Sequence, residues 1–233
     1  MIRLHYKYIY NKIINILVSI LIVLFSLYFL YEVDFLSEFK TRWFNQYELY
    51  QSYSYNSIFI IKLIIPVIAI YLFSISFMDY YDGYKQIILK NRNDRILYFI
   101  TKLLVIIYIL FIVIFVLYLL FTLIGYLYIP NFLFYNVNII PFINIFITSI
   151  IFGLISQIFV QLYNNHLSYI LVIILYILLQ MITDSDVSLI NFISIILPII
   201  NSDFSFSFNY AFVMLQLFLS TFINLLIYYI KDF

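Results

Sequence analysis

Six long apolar stretches separated by shorter polar ones set the pattern of this chain: residues 13–30, 57–77, 103–128, 140–161, 167–182 and 210–230. In hydrocarbon every backbone N–H and C=O needs a partner within its own segment, and about 20 helical residues cover the roughly 30 Å of a bilayer core. The pattern therefore predicts an all-α, polytopic membrane protein with six transmembrane helices. The fifth stretch is short for a span, and the third is long enough to tilt or to project beyond the membrane. A further apolar run, 187–200 (VSLINFISIILPII), is shorter and is interrupted by Asn191 and Pro198. It is predicted as a re-entrant or interfacial outer segment before the last helix; the alternative, a seventh span, would move Lys231 to the other side.

The polar segments complete the layout. Residues 1–12 (MIRLHYKYIYNK) mix basic and aromatic side chains ahead of the first span, the composition of an interfacial helix. This basic start before an apolar run looks like a secretory signal, but the only alanines are Ala69 and Ala211, so no A-x-A-like cleavage site follows and the run is read as a retained span. Residues 34–56 form a Tyr-rich, partly helical outer segment with Trp43 near headgroup level. No internal repeat or linker divides residues 1–233, which read as one membrane domain. Arg3, Lys7, Lys12, Lys85, Lys90, Arg92, Arg95, Lys102 and Lys231 fall on one side of the six-span layout, and only Lys40 and Arg42 on the other. The positive-inside rule then places both termini in the cytoplasm of a cell-membrane protein. Lys62, inside the second stretch, is expected near its outer end with its ammonium snorkelling to the interface.

Composition removes several classes of function. With 66% hydrophobic and 10% charged residues and a mean hydropathy of +1.09, the chain lies far outside soluble composition. Lys+Arg of 12 against Asp+Glu of 11 leaves +1, without the basic field that nucleic-acid binding needs. There is no cysteine for a disulfide, a zinc knuckle or a thiol nucleophile. Gly83, Gly125 and Gly153 are the only glycines and none opens a phosphate-cradling G-x-x-x-x-G-K-[ST] loop, so the chain carries no ATPase motif of its own. His5 and His166 have no acidic neighbour to make a metal site, and the eleven carboxylates fall in loops or at span ends, so neither a metal centre nor an active site is expected. Within the spans, Pro66, Gly125, Gly153, Gln157, Gln216 and Asn224 form no pairing between halves, and their polar groups are expected in interhelical hydrogen bonds, with no buried charge. That weighs against an ion- or proton-coupled carrier, which stays as the alternative together with another polytopic membrane protein.

One charged connector stands apart, residues 78–102 and the two beyond, MDYYDGYKQIILKNRNDRILYFITKLL. Ile87, Ile88 and Leu89 make a small apolar patch between Lys85 and Lys90, the form of a short docking helix for a soluble partner; a basic loop lying on lipid headgroups would share its charge. The segment resembles the loop after the second span in permeases of type-2 ATP-binding-cassette exporters, which runs acidic residue, glycine, short apolar helix, arginine, then a lysine entering span three. Asp79 or Asp82, Gly83, Ile87–Leu89, Arg95 and Lys102 match those places, with Tyr84 where a small residue is usual and Arg92 near the place of a frequent proline. Six spans, an N-terminal interfacial helix and a re-entrant segment before the last helix are similar as well. The resemblance implies that Asp79, Asp82, Gly83, Ile87, Ile88, Leu89, Arg92, Arg95 and Lys102 couple the chain to a separate ATPase subunit. That subunit would carry the ATP and magnesium, so no cofactor is expected here, and a second permease chain, identical or paralogous, would complete the transporter. The bias toward Ile, Phe, Tyr, Asn and Lys fits a low-GC bacterial genome, where similar small permeases export antimicrobial or other amphipathic peptides or confer immunity to them.

Overall fold

A computed structural model of the chain describes residues 12–40, 46–78, 92–129, 132, 139–182 and 210–230. These hold six α-helices: α1 (Lys12–Lys40), α2 (Gln46–Phe77), α3 (Arg92–Tyr128), α4 (Ile140–Tyr163), α5 (His166–Ile182) and α6 (Tyr210–Ile230). Four contain a segment long and apolar enough to cross a membrane, Glu48–Phe77, Asp94–Tyr128, Ile140–Tyr163 and Val213–Ile230, and two are shorter apolar helices, Val18–Glu32 and His166–Gln180. The chain is thus all-helical among its described residues, with the build of a polytopic membrane protein.

Three helices run past the apolar stretches that predict them. α1 continues to Lys40, α2 begins at Gln46, and α3 begins at Arg92, so most of 34–56 and the last part of the 78–102 connector are helical. Hydropathy marks where lipid ends, whereas the backbone ladder continues until something interrupts it, and no proline lies between Pro66 and Pro130. Residues 1–11, expected as an interfacial helix, and the 187–200 segment, expected as re-entrant, lie outside the described residues, as do 79–91.

Local chemistry sets the tightest turn. Asn164 ends α4 in the left-handed region (φ 45°), a conformation asparagine tolerates better than most residues, and its backbone N–H bonds to Val160 O at 2.8 Å. Asn165 Oδ1 then accepts from the Leu167 N–H at 3.3 Å and its carbonyl accepts from Ser168 Oγ, starting α5. At the other end of α4, Pro141 sits in the first turn, where no helical partner for its missing N–H is needed.

α4 lies at the centre, packed on α2, α3, α5 and α6. Gly153 and Ser156 let α2 approach closely: a Cβ at Gly153 would fall 2.4 Å from the Phe73 ring. Ser74 Oγ donates to Ser156 Oγ at 3.1 Å, and Ser156 Oγ lies 2.7 Å from Gly153 O and 3.2 Å from Ile70 O. α2 and α4 therefore run in the same direction, with α3 and α5 opposed to them. One apolar cluster, around Phe29, Tyr53, Phe121 and Phe142, fills the end where α2 starts; here Tyr53 stacks on Phe121 at 5.0 Å and donates its hydroxyl to Phe121 O at 3.0 Å. A second, around Phe77, Tyr98, Ile106 and Tyr228, fills the end where α3 starts. A third, Ile70, Phe152, Val172, Tyr176 and Leu179, joins α2, α4 and α5.

The distribution of polarity is inverted relative to a soluble domain. Asn144, Thr148, Ser149, Gln157 and Asn224 are fully buried, while Leu171 and Leu178 of α5 and Met214, Phe218 and Phe222 of α6 face outward. In water such a continuous apolar exterior would drive aggregation, whereas in lipid it is the expected outer surface.

Candidate functional site

Two lysines that hydropathy would tolerate only at the edges lie inside the bundle. Lys62, on α2, is 2% exposed, so it does not snorkel out as its sequence position suggests. Pro66 follows four residues later, and without an N–H it cannot bond the Lys62 carbonyl as a helical residue would. The Tyr176 hydroxyl of α5 donates to that carbonyl instead. Tyr176 is itself fully buried, its ring edge-to-face with Phe152 of α4 at 4.9 Å. Three helices are thereby joined at the one place where the α2 ladder is interrupted.

Near the other end, Lys102 of α3 has no exposed surface. Its ammonium lies 5.0 Å from the centroid of Phe77 and 5.2 Å from that of Tyr98, with the Tyr98 hydroxyl at 3.5 Å. Tyr228 of α6 packs on both rings, stacked on Tyr98 at 6.5 Å and edge-on to Phe77 at 6.4 Å. An ammonium over desolvated aromatic faces is held by the ring quadrupoles, about 2 kcal/mol in favourable cases. Lys102 therefore ties α3 to α2 from within, and the Phe77 and Tyr98 rings that hold it pack in turn on Tyr228 of α6.

A carboxylate is enclosed as well. Glu32 of α1 is buried, accepting from Tyr28 Oη at 3.4 Å and from Asn56 Nδ2 of α2. The expectation that the interior holds no charge is corrected by Lys62, Lys102 and Glu32. Glu32 and Lys102 lie near the ends of their apolar stretches and Lys62 midway along α2; the enclosure of all three comes from neighbouring helices, which hydropathy does not register.

Of the residues expected to form a coupling element, Asp79, Asp82, Gly83, Ile87, Ile88 and Leu89 lie outside the described residues. Arg92 opens α3, and Arg95, one turn on, is half-buried; Tyr98 and Lys102 continue the same face at i+3 and i+7 from Arg95. Full enclosure removes Lys102 from any surface that a soluble partner could touch. Asn224 meets the expectation of an interhelical bond, its Nδ2 donating to Leu154 O at 2.9 Å. Gln157 does not: both atoms of its buried amide, like those of Asn144 and Thr148 Oγ1, find no hydrogen-bond partner among the described residues. Sequence reasoning missed Tyr176, Asn144 and Thr148. Proline arithmetic alone identifies the Lys62 carbonyl as an acceptor in need of a donor, but the donor is 114 residues away.

Among the described residues no group of three or more His, Cys, Asp or Glu side chains could hold a metal. No protein-family model matches this chain, and no curated protein matches it in sequence.

Proposed function

We propose that this chain is the membrane-spanning permease subunit of a type-2 ATP-binding-cassette exporter, crossing the cell membrane six times with both termini in the cytoplasm. It moves amphipathic or antimicrobial peptides, or other hydrophobic compounds, and is energised by a separate ATPase subunit. A second permease chain completes the path.

The observation that carries this reading is the order of residues along 79–102: acidic residue, glycine, apolar triplet, arginine, lysine. The packing beside that segment supports it. α2 ends at Phe77 and α3 starts at Arg92, so a push on the residues between them acts on two helices at once. Phe77 and Tyr98, the rings that hold Lys102, both pack on Tyr228, which extends the same push to α6. Switching of this rigid-body kind is how closure of an ATPase dimer could reorient a path between helices.

The test is a detergent pull-down of tagged chain, wild type against a variant altered across Gly83–Arg95. Recovery of an ATP-binding-cassette ATPase that disappears in the variant is the expected result. A chain that purifies alone with its helical content intact would reject the exporter. The second reading, an ion- or proton-coupled carrier, is favoured by one observation: Lys62, Lys102 and Glu32 are enclosed ionisable groups, the kind such carriers use. It predicts transport in vesicles that follows an ion gradient and persists without ATP.

A further inference from the structure

Glu32 closes the apolar segment Val18–Glu32 of α1 and is 7% exposed. Its Oε1 accepts from Asn56 Nδ2 of α2, and its Oε2 from Tyr28 Oη, one turn back on α1, at 3.4 Å. Both donors are neutral, and among the described residues no lysine, arginine or histidine pairs with the carboxylate. In surroundings of low dielectric, two neutral donors do not replace a counter-charge.

Behind the carboxylate the packing is aromatic. Phe29, fully buried and one turn before Glu32, lies edge-on to Tyr28 at 6.1 Å and to Tyr53 of α2 at 6.4 Å. In front, a stripe leads out to lipid. Each four-residue step back along α1 turns the face by about 40°, and burial falls with the turn: Glu32 is enclosed, Tyr28 half-buried and Leu24 60% exposed. Asn56, across the seam on α2, is half-buried too.

These neighbours select among cations. A hard metal ion takes about six or more oxygen ligands, whereas Glu32 is met by one phenol and one amide N–H. An ammonium asks only for acceptors for its three N–H groups, and gains from aromatic rings nearby. The carboxylate also sits at the end of an apolar segment, the depth at which a side chain or lipid with an apolar stem keeps its charged head.

We propose that Glu32, with Tyr28 and Asn56, binds the ammonium group of an amphipathic amine that enters from the lipid between α1 and α2, its chain lying along Tyr28 and Leu24. The inference rests on the transport reading only for the role of that amine as cargo; binding itself needs no ATP.

The probe is tritiated dodecylamine, titrated by scintillation proximity against the purified chain in nanodiscs, with empty nanodiscs as reference. Wild type is expected to bind it saturably, and unlabelled dodecylamine to compete at least about tenfold better than dodecanol, which has the same chain and no charge. Glu32→Gln keeps the size and a polar head and should weaken binding by about tenfold or more, while Tyr28→Phe, which removes one neutral hydroxyl, should weaken it by less than about tenfold. Equal competition by dodecanol and dodecylamine on wild type would overturn the site without recourse to any variant. So would undiminished binding by Glu32→Gln, or displacement of the amine by an equal concentration of magnesium. No ATPase is present, so amine binding by a chain that recruits no ATPase would keep the site and remove only the exporter.

Discussion

The bond between the Tyr176 hydroxyl and the Lys62 carbonyl exists because Pro66 offers that carbonyl no N–H, and this dependence can be measured. Tyr176→Phe keeps the ring and its edge-to-face contact with Phe152 at 4.9 Å, and removes only the donor. With Pro66 in place, the carbonyl then has no donor in a dry interior. Hydrogen bonds between helices in membranes average about 0.6 kcal/mol and reach about 1.7, and leaving a buried acceptor unsatisfied costs about 1–3. The expected loss is about 1.5 kcal/mol. In a Pro66→Ala background, residue 66 supplies its own N–H to the Lys62 carbonyl, and the same Tyr176→Phe change should cost below about 0.5 kcal/mol. The coupling between the two sites is then about 1 kcal/mol, well within what a double-mutant cycle resolves. The assay is reversible unfolding in mixed micelles of wild type, both single variants and the double variant. Equal costs of Tyr176→Phe in the two backgrounds would refute the reasoning, because the hydroxyl would then be serving something other than the acceptor that proline leaves open.

Two further outcomes follow from the packing. Gly153→Val should destabilise the bundle by about 1–3 kcal/mol, since the new side chain enters the space of the Phe73 ring, and Phe73→Ala should recover much of that loss in combination; the same unfolding assay checks it, and identical losses with and without Phe73 would show that this contact does not set the α2–α4 distance. Lys102→Met should keep stability within about 1 kcal/mol, because methionine fills the same aromatic cage without a charge to desolvate. In a complex with its ATPase it should nonetheless uncouple ATP hydrolysis from cargo, read as loss of cargo-stimulated phosphate release; normal stimulation would place Lys102 outside the coupling route.

Helix identity was legible in the sequence because a backbone in hydrocarbon has few ways to satisfy its own hydrogen bonds. Apolar runs long enough to cross lipid have to be helices, and all six predicted stretches lie within helices of the structure. The ends of those helices were less legible, since the polar residues 34–40, 46–56 and 92–102 carry the ladder on without an apolar signal. Pro66 interrupts the α2 ladder and Asn164-Asn165 turn the chain through their own backbone, local effects that the hydropathy pattern did not express.

What surrounds a side chain could not be read in this way. Lys62, Lys102 and Glu32 look like edge residues in one dimension, and become interior ones only when neighbouring helices close over them. Likewise Asn144 and Thr148 are two polar residues in an apolar run, and become fully buried ones only when α4 is packed among its neighbours. By itself the sequence determined an all-helical membrane chain and its apolar segments. Only the tertiary structure decided which groups meet, because burial and pairing depend on helix rotation and register across distances of up to 114 residues, and no local periodicity encodes them.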